Sequence, residues 1–322
     1  MTTTRLAVSV ALALLVAPPA GEAQPPKRIP RIGILGSAPS SWETFWPALR
    51  EVGYVEGQTI IIERRWSEGR GERFPALAAE LVRLQVDLIV VGTNEPALAA
   101  KQATSTIPIV MAASHDAVGV GLVQSLARPG GNVTGIDTMA PELGAKRLEL
   151  LREVLPGASR VAVLYNPGDP AMRLQLRQTE VAAQTFGVKI RPVLVRTPDD
   201  FDGVFASVAR DRPDALIVFT EALTFVHRKR IVEFAAKQRL PAMYEFREFV
   251  ELGGLIAYGP NLRDLDRRAA VYIDKILKGT RPADLPVEQP TRFELLLNLR
   301  TARALGLTIP QSVLLRADAL IQ

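Results

Sequence analysis

The chain has 322 residues, 48% of them hydrophobic and 23% charged, with two histidines and no cysteine. Those fractions belong to globular proteins and exclude a disordered or fibrous chain, and the length suggests two domains. The missing cysteine excludes disulfides, zinc–thiolate and iron–sulfur sites, a cysteine nucleophile and a lipid-modified cysteine, and the net charge of +5, spread along the chain, gives no reason to expect nucleic acid.

The first element is a targeting segment. Arg5 precedes the apolar run LAVSVALALLVA at 6–17, followed by Pro18, Pro19 and the small-residue step Gly21-Glu22-Ala23 before Gln24. This is the pattern of a cleaved export signal at 1–23. A stable anchor needs about 20 apolar residues, so the run is too short to span a bilayer. Cleavage after Ala23 removes one base, Arg5, and one acid, Glu22, and leaves the net charge unchanged. The mature protein is expected to be periplasmic, without a lipid anchor.

Apolar, β-branched runs then predict strands at 32–35, 59–63, 88–91, 107–111 and 133–136, and again at 161–165, 188–193, 215–219, 242–244 and 255–258. Most are continuous rather than alternating, as in parallel sheets covered on both faces. Helical periodicity predicts helices at 42–52, 73–84, 142–154, 172–186, 201–209, 225–238 and 262–277, with Gly53, Gly187 and Gly279 as stop signals. Alternating strands and helices imply βαβ units and an α/β fold.

The two strand sets repeat one another. Phe74, Asp87 and Thr93 match Phe201, Asp214 and Thr220, each pair separated by 127 residues. VDLIVVGT (86–93) aligns with PDALIVFT (213–220), and RIGIL (31–35) with RVAVL (160–164). AAKQ occurs at 99–102 and 235–238, each time shortly before a proline that opens a strand, Pro108 or Pro241. The repeat predicts two similarly folded lobes with a first boundary near 137–141.

Ligands of open parallel sheets bind beyond the carboxyl ends of the strands. Those ends are polar here: Ser37, Thr93, Asn94, Ser114 and Asp116 in the first lobe, and Asn166, Thr220, Glu221 and Tyr244 in the second. Several lead into helices, where the same side chains either cap the helix or stand beside free N–H groups that bind an anion. Trp42 and Trp46, four apart, share one helical face, and Tyr244 and Tyr258 end two late strands. Such aromatics either pack internally or wall an apolar ligand group.

Catalytic signatures are missing. There is no G-x-S-x-G elbow, Walker A loop or H-E-x-x-H motif. Gly119-x-Gly121 lacks a third glycine, and Ser114-His115-Asp116 are consecutive, so their side chains diverge instead of forming a triad. The sequence therefore predicts a protein without enzymatic activity, cofactor or metal.

Four stretches carry a family resemblance: GYVEGQTIIIERRW (53–66), FPALAAELVRLQVDLIVVGT (74–93), TIPIVMAASHDAVGVGLVQSLARPGGNVTGI (106–136) and the long run 258–318 beginning YGPNLRDLDRRAAVYIDKILKGTRPADLPVEQPTRFELL. Together they resemble the solute-binding proteins of ABC transporters, in the group that includes tryptophan/tyrosine-type binding proteins. The resemblance implies the type I periplasmic-binding fold, two Rossmann-like lobes joined by three crossings. It implies an N-terminal lobe of 24–138 plus 259–282 and a C-terminal lobe of 139–258 plus 283–322. The ligand loops depart from the family pattern at His115-Asp116-Ala117-Val118, at 36–49 and at 92–96.

The expectation is a monomeric, exported protein that traps a small molecule, an amino acid or similar carboxylate, by hinge closure and delivers it to an ABC permease in the inner membrane. Ser37, Thr93 and Asn94 would hold its polar end from one lobe and Asn166, Thr220 and Glu221 from the other, with Glu221 facing an amino group. Trp42 and Tyr244 would shape the side-chain pocket. A periplasmic sensing module reporting to a membrane receptor would use the same cleft.

Overall fold

The computed structural model describes residues 28–322, so the expected export signal at 1–23 lies outside the described residues. In chain order the first half comprises β1 (Arg31–Gly36), α1 (Phe45–Glu51), β2 (Ile61–Trp66), α2 (Phe74–Arg83), β3 (Leu88–Val91), α3 (Asn94–Ala103), β4 (Ile109–Ser114) and β5 (Val133–Asp137). Its five strands form a parallel sheet in the order β2-β1-β3-β4-β5. There follow α4 (Ala140–Val154), β6 (Arg160–Tyr165), α5 (Pro170–Phe186), β7 (Lys189–Leu194), α6 (Asp200–Asp211), β8 (Ala215–Val218), α7 (Ala222–Val226), α8 (Arg228–Lys237), β9 (Ala242–Tyr244), α9 (Arg247–Glu251) and β10 (Ile256–Gly259). The chain ends with α10 (Leu262–Leu277), β11 (Glu294–Asn298), α11 (Leu299–Leu305), α12 (Gln311–Leu314) and β12 (Ala319–Ile321). The second sheet runs β12-β11-β10-β9-β8-β6-β7 and is parallel except where β10 meets β11.

Both faces of both sheets are covered, which is why the strands read as unbroken apolar runs. Along β1, Ile32 and Ile34 face a core with Phe45 and Leu49 of α1 and Ile273 of α10. Leu35 faces the opposite core with Leu77 and Leu81 of α2 and Ala97 of α3. Along β6, Val161 and Val163 meet Leu148 and Leu151 of α4 and Leu176 of α5, while Ala162 and Leu164 meet Val208 of α6, Ile231 of α8 and Phe249 of α9. Each fully buried aliphatic side chain contributes about 1.5–3 kcal/mol, so four such layers hold the lobes as independent cores.

Local signals fix the helix ends. Asp169 caps α5, accepting from the Ala171 N–H at 2.9 Å, with Pro170 opening the helix; Gly187, at φ 67, closes it in the left-handed region. Asn261 caps α10 by accepting from the Arg263 N–H at 3.0 Å. The helix expected at 225–238 is broken: a capping box between Glu221 and Thr224 starts the short α7, and the chain turns at His227 before α8. The break leaves Phe225 facing the space between the lobes, while Ile231 and Val232 of α8 face the core.

The chain passes between the sheets three times, after β5, after β10 and before β11. The last passage comes later than the boundary at 282 expected from the sequence. Leu285 and Val287 pack into the two cores of the first sheet, the Thr134 hydroxyl donates to the Leu285 carbonyl, and Glu288 pairs with Ile136. An extended segment along the exposed edge of β5 satisfies backbone groups there that would otherwise lack partners. This architecture is the type I periplasmic-binding fold.

Candidate functional site in the interlobe cleft

The two sheets face one another with their strand ends converging, and the lobes are in contact. The Asn94 amide donates to Asp169 Oδ1 at 3.0 Å, the Arg70 guanidinium to Asp199 at 3.0 Å, and Arg228 to the Ser40 carbonyl at 3.3 Å. Glu95 enters from the first lobe beside Gly168 of the second, where an added Cβ would come within 2.3 Å of Glu95 Oε1. Burial first, then the charges of Glu221 and Asp169, push the Glu95 carboxyl up to about 8.

Behind these contacts lies a cavity of about 640 Å³ of empty space, mouth included, lined from both lobes and from α10. Ser37, Trp42 and Thr93 line it from the first lobe, and Thr220 and Glu221 from the second. Trp42 is 3% exposed and meets Phe45 edge-on at 5.0 Å. Its ring is both core and wall. Gly36 makes this possible, because a Cβ there would stand 2.5 Å from Trp42 Nε1. Thr220 is 2% exposed and its hydroxyl has no hydrogen-bond partner among the described residues.

The remaining sequence-predicted residues are placed elsewhere. Asn94 and Ser114 lie behind the cavity wall: the Ser114 hydroxyl donates to Asn94 Oδ1 at 2.7 Å, and the Asn94 amide donates to the His115 carbonyl at 2.7 Å. They hold the His115 loop instead of facing the cavity. Asp116, at φ 50, accepts from the Gly119 N–H at 3.0 Å in a surface turn. Asn166 donates to Glu221 Oε2 at 3.2 Å and borders an outer depression shared with Glu95. Tyr244 is a core residue, fully buried and stacked on Phe249 at 4.8 Å. Tyr258 packs against Phe293 at 6.1 Å, and its carbonyl accepts from Arg147 Nε at 2.8 Å. The loop after β9 supplies Phe246 to the cavity in place of the tyrosine.

Glu221 differs from its expected role. Oε1 accepts from the Thr224 N–H at 2.8 Å and Oε2 from the Leu223 N–H at 2.9 Å, so its carboxylate caps α7. It borders the cavity but is turned toward the helix. Lining residues outside the predicted set include His115, Phe225, Phe246 and Asp266. His115 is 1% exposed, with Nδ1 3.5 Å from Asp169 Oδ2, an ion-pair separation without hydrogen-bond geometry. Burial opposes its charged form, but Asp169, Glu245 and Asp137 outweigh that and raise its pKa. Asp266 lies on α10, where the Thr44 hydroxyl donates to Oδ2. Burial pushes its carboxyl up to about 7; the Thr44 bond opposes this and the charge of Glu248 adds to it.

Among the described residues no group of three or more histidines or acids could hold a metal ion. A mostly apolar chamber with a few polar groups, lined from both lobes, suits the binding of a small molecule. The arrangement defines a two-lobed ligand-binding protein.

The relatives are of that class. The family described as ABC transporter substrate binding protein matches residues 39–321, and the chain belongs to it. It is 28% identical to a tyrosine-binding protein of Clostridioides difficile over 82% of this chain and 75% of that protein. A structure of the ABC domain in complex with L-Trp from Streptococcus pneumonia is 28% identical, with a TM-score of 0.82, covering 91% of this chain and 99% of the other. The ligand-free, open structure of a substrate binding protein with adhesive properties from Clostridium difficile covers 91% of this chain and 100% of its own at 25% identity, but its TM-score is 0.60.

Proposed function

We propose that this chain is the exported, monomeric solute-binding component of an ABC importer, and that its ligand is an amino acid with an aromatic or apolar side chain, captured between the lobes and handed to a membrane permease. The observation that carries this reading is the cavity lined from both lobes, with aromatic walls and inward hydroxyls. Trp42, Phe225 and Phe246 would enclose the side chain. Thr93 stands at the start of α3 without capping it by a side-chain hydrogen bond. The first-turn N–H groups and the Thr93 hydroxyl would then receive the ligand carboxylate. Thr220 would bind from the opposite lobe through its unpartnered hydroxyl. Contact from both sides makes the closed form the one that the ligand favours. The ligands named for the tyrosine-binding and L-Trp-bound relatives point the same way. Isothermal titration against the common amino acids is expected to give heat with tyrosine, tryptophan or an apolar residue. Silence with all of them would remove the amino-acid assignment.

A further inference from the structure

Three ionisable side chains line the cavity, Glu221, His115 and Asp266, and no lysine or arginine does. Both oxygens of Glu221 accept backbone N–H donors of α7, and Oε2 also accepts from Asn166. His115 is turned to Asp169 of the opposite lobe. Asp266 alone has an unengaged oxygen: Thr44 donates to Oδ2, and among the described residues no protein donor reaches Oδ1. The residue is 7% exposed, and no lysine, arginine or histidine nitrogen of the described residues lies within ion-pair distance. Its neighbours on α10, Arg267 and Arg268, pair instead with Glu51 and Glu288. Glu248, from α9, adds a second negative charge nearby, and its Oε2 is also buried without a partner.

We propose that Asp266 is a specificity-determining residue that receives a cationic nitrogen of the ligand, so that the cavity selects amines over otherwise identical amine-free carboxylates. The inference rests on the cavity being the ligand site. A buried carboxylate without a countercharge is unfavourable, and a ligand ammonium supplies the missing charge. A ligand lacking that nitrogen forces Asp266 either to stay unpaired or to take a proton. The upward shift of its carboxyl to about 7 is the sign of this unmet charge. Because α10 packs on α1 and β4, Asp266 is fixed to the first lobe and is in place before the second lobe closes.

Titration calorimetry with three probe sets tests this on the full mature chain: L-tyrosine and L-tryptophan, the matching 3-arylpropionates without the amine, and the matching arylethylamines without the carboxylate. The amino acids are expected to bind at least about tenfold more tightly than the arylpropionates. Asp266→Asn keeps the shape and the acceptor for Thr44 and is expected to abolish that preference. Equal affinity of the wild type for amino acids and arylpropionates, or a preference unchanged in D266N, overturns the proposal while leaving the cleft as the site. Arylethylamines binding where amino acids do not supports Asp266 and overturns the amino-acid reading. If no probe binds, both fall. Should D266N fail to fold, the wild-type ranking of the three sets decides alone.

Discussion

The two lobes share a frame and differ at its rim. Asp87 and Asp214, 127 residues apart, perform the same task. Asp87 Oδ2 accepts from the Arg31 N–H at 2.7 Å, and Asp214 Oδ2 from the Arg160 N–H at 2.8 Å, each pinning the start of a central strand. At the other end of these βαβ units, Thr93 and Thr220 also correspond. Here the likeness stops. In the first lobe α3 runs on for ten residues without a side-chain cap. In the second, Glu221 caps a helix of five residues and the chain breaks at His227. The frame is held by groups that every such unit needs. The rim is where the lobes specialise, one offering an uncapped helix start, the other a hydroxyl and two phenylalanines.

The strongest test of this comparison removes a support that only the second lobe has. Arg147 and Glu245, both 1% exposed in their side chains, pair at 2.8 Å, and Gln175 donates to the same carboxylate at 2.7 Å. Glu245→Ala leaves a buried guanidinium unpaired and is expected to lower stability by about 3–5 kcal/mol in denaturant unfolding. A loss under about 1 kcal/mol would show that the pair does not hold the second lobe together. Next come the matched aspartates. Asp214 also accepts from the Ser159 N–H and hydroxyl, whereas Asp87 accepts one backbone bond. Asp214→Ala is therefore expected to cost about 2 kcal/mol and Asp87→Ala about 1 kcal/mol. A reversed order would break the equivalence.

At the rim, Thr93→Val and Thr220→Val are each expected to weaken ligand binding roughly fivefold, the loss of one hydrogen bond, with unchanged melting temperature. Unaltered affinity in both would take the threonines out of the site. A further effect is a slope with pH. Glu95, buried and facing the charges of Glu221, Asp169 and Glu72, has its carboxyl raised to about 8. A raised acid binds its proton more tightly in the folded protein, so stability falls as pH rises from the ordinary carboxylate range through about 8. Melting temperatures at pH 5 and pH 9 should differ less in Glu95→Gln than in the wild type, and an unchanged difference would exonerate Glu95.

Much of the frame was legible. The strand runs at 88–91 and 242–244 and the helix at 262–277 match β3, β9 and α10 end to end, because continuous apolar runs and a strict helical stripe reflect burial on both faces or on one. The site was legible in part. Ser37, Thr93 and Thr220, read from strand ends, and Trp42, read from the start of the first helix, line the cavity. Tyr244 does not, because its ring stacks inside the core, and the chain turns to present Phe246 two residues later. Asp266 had a signal that was overlooked. It falls on the apolar stripe Leu262, Leu265, Asp266, Ala269, Ala270, Ile273, and an acid there must be buried.

Sequence alone determined which segments fold as strands and helices and that they repeat, since these depend on residue type and local spacing. Only the tertiary structure decided which polar ends face the ligand space and which are engaged as caps. Glu221 precedes α7, and Asp266 lies one turn inside α10. One meets the N–H groups of its own helix, and the other meets a cavity assembled from residues as distant as Trp42 and Phe246. Glu221 is satisfied within three residues, whereas the surroundings of Asp266 are set by groups as distant as Thr44, and no local pattern encodes them.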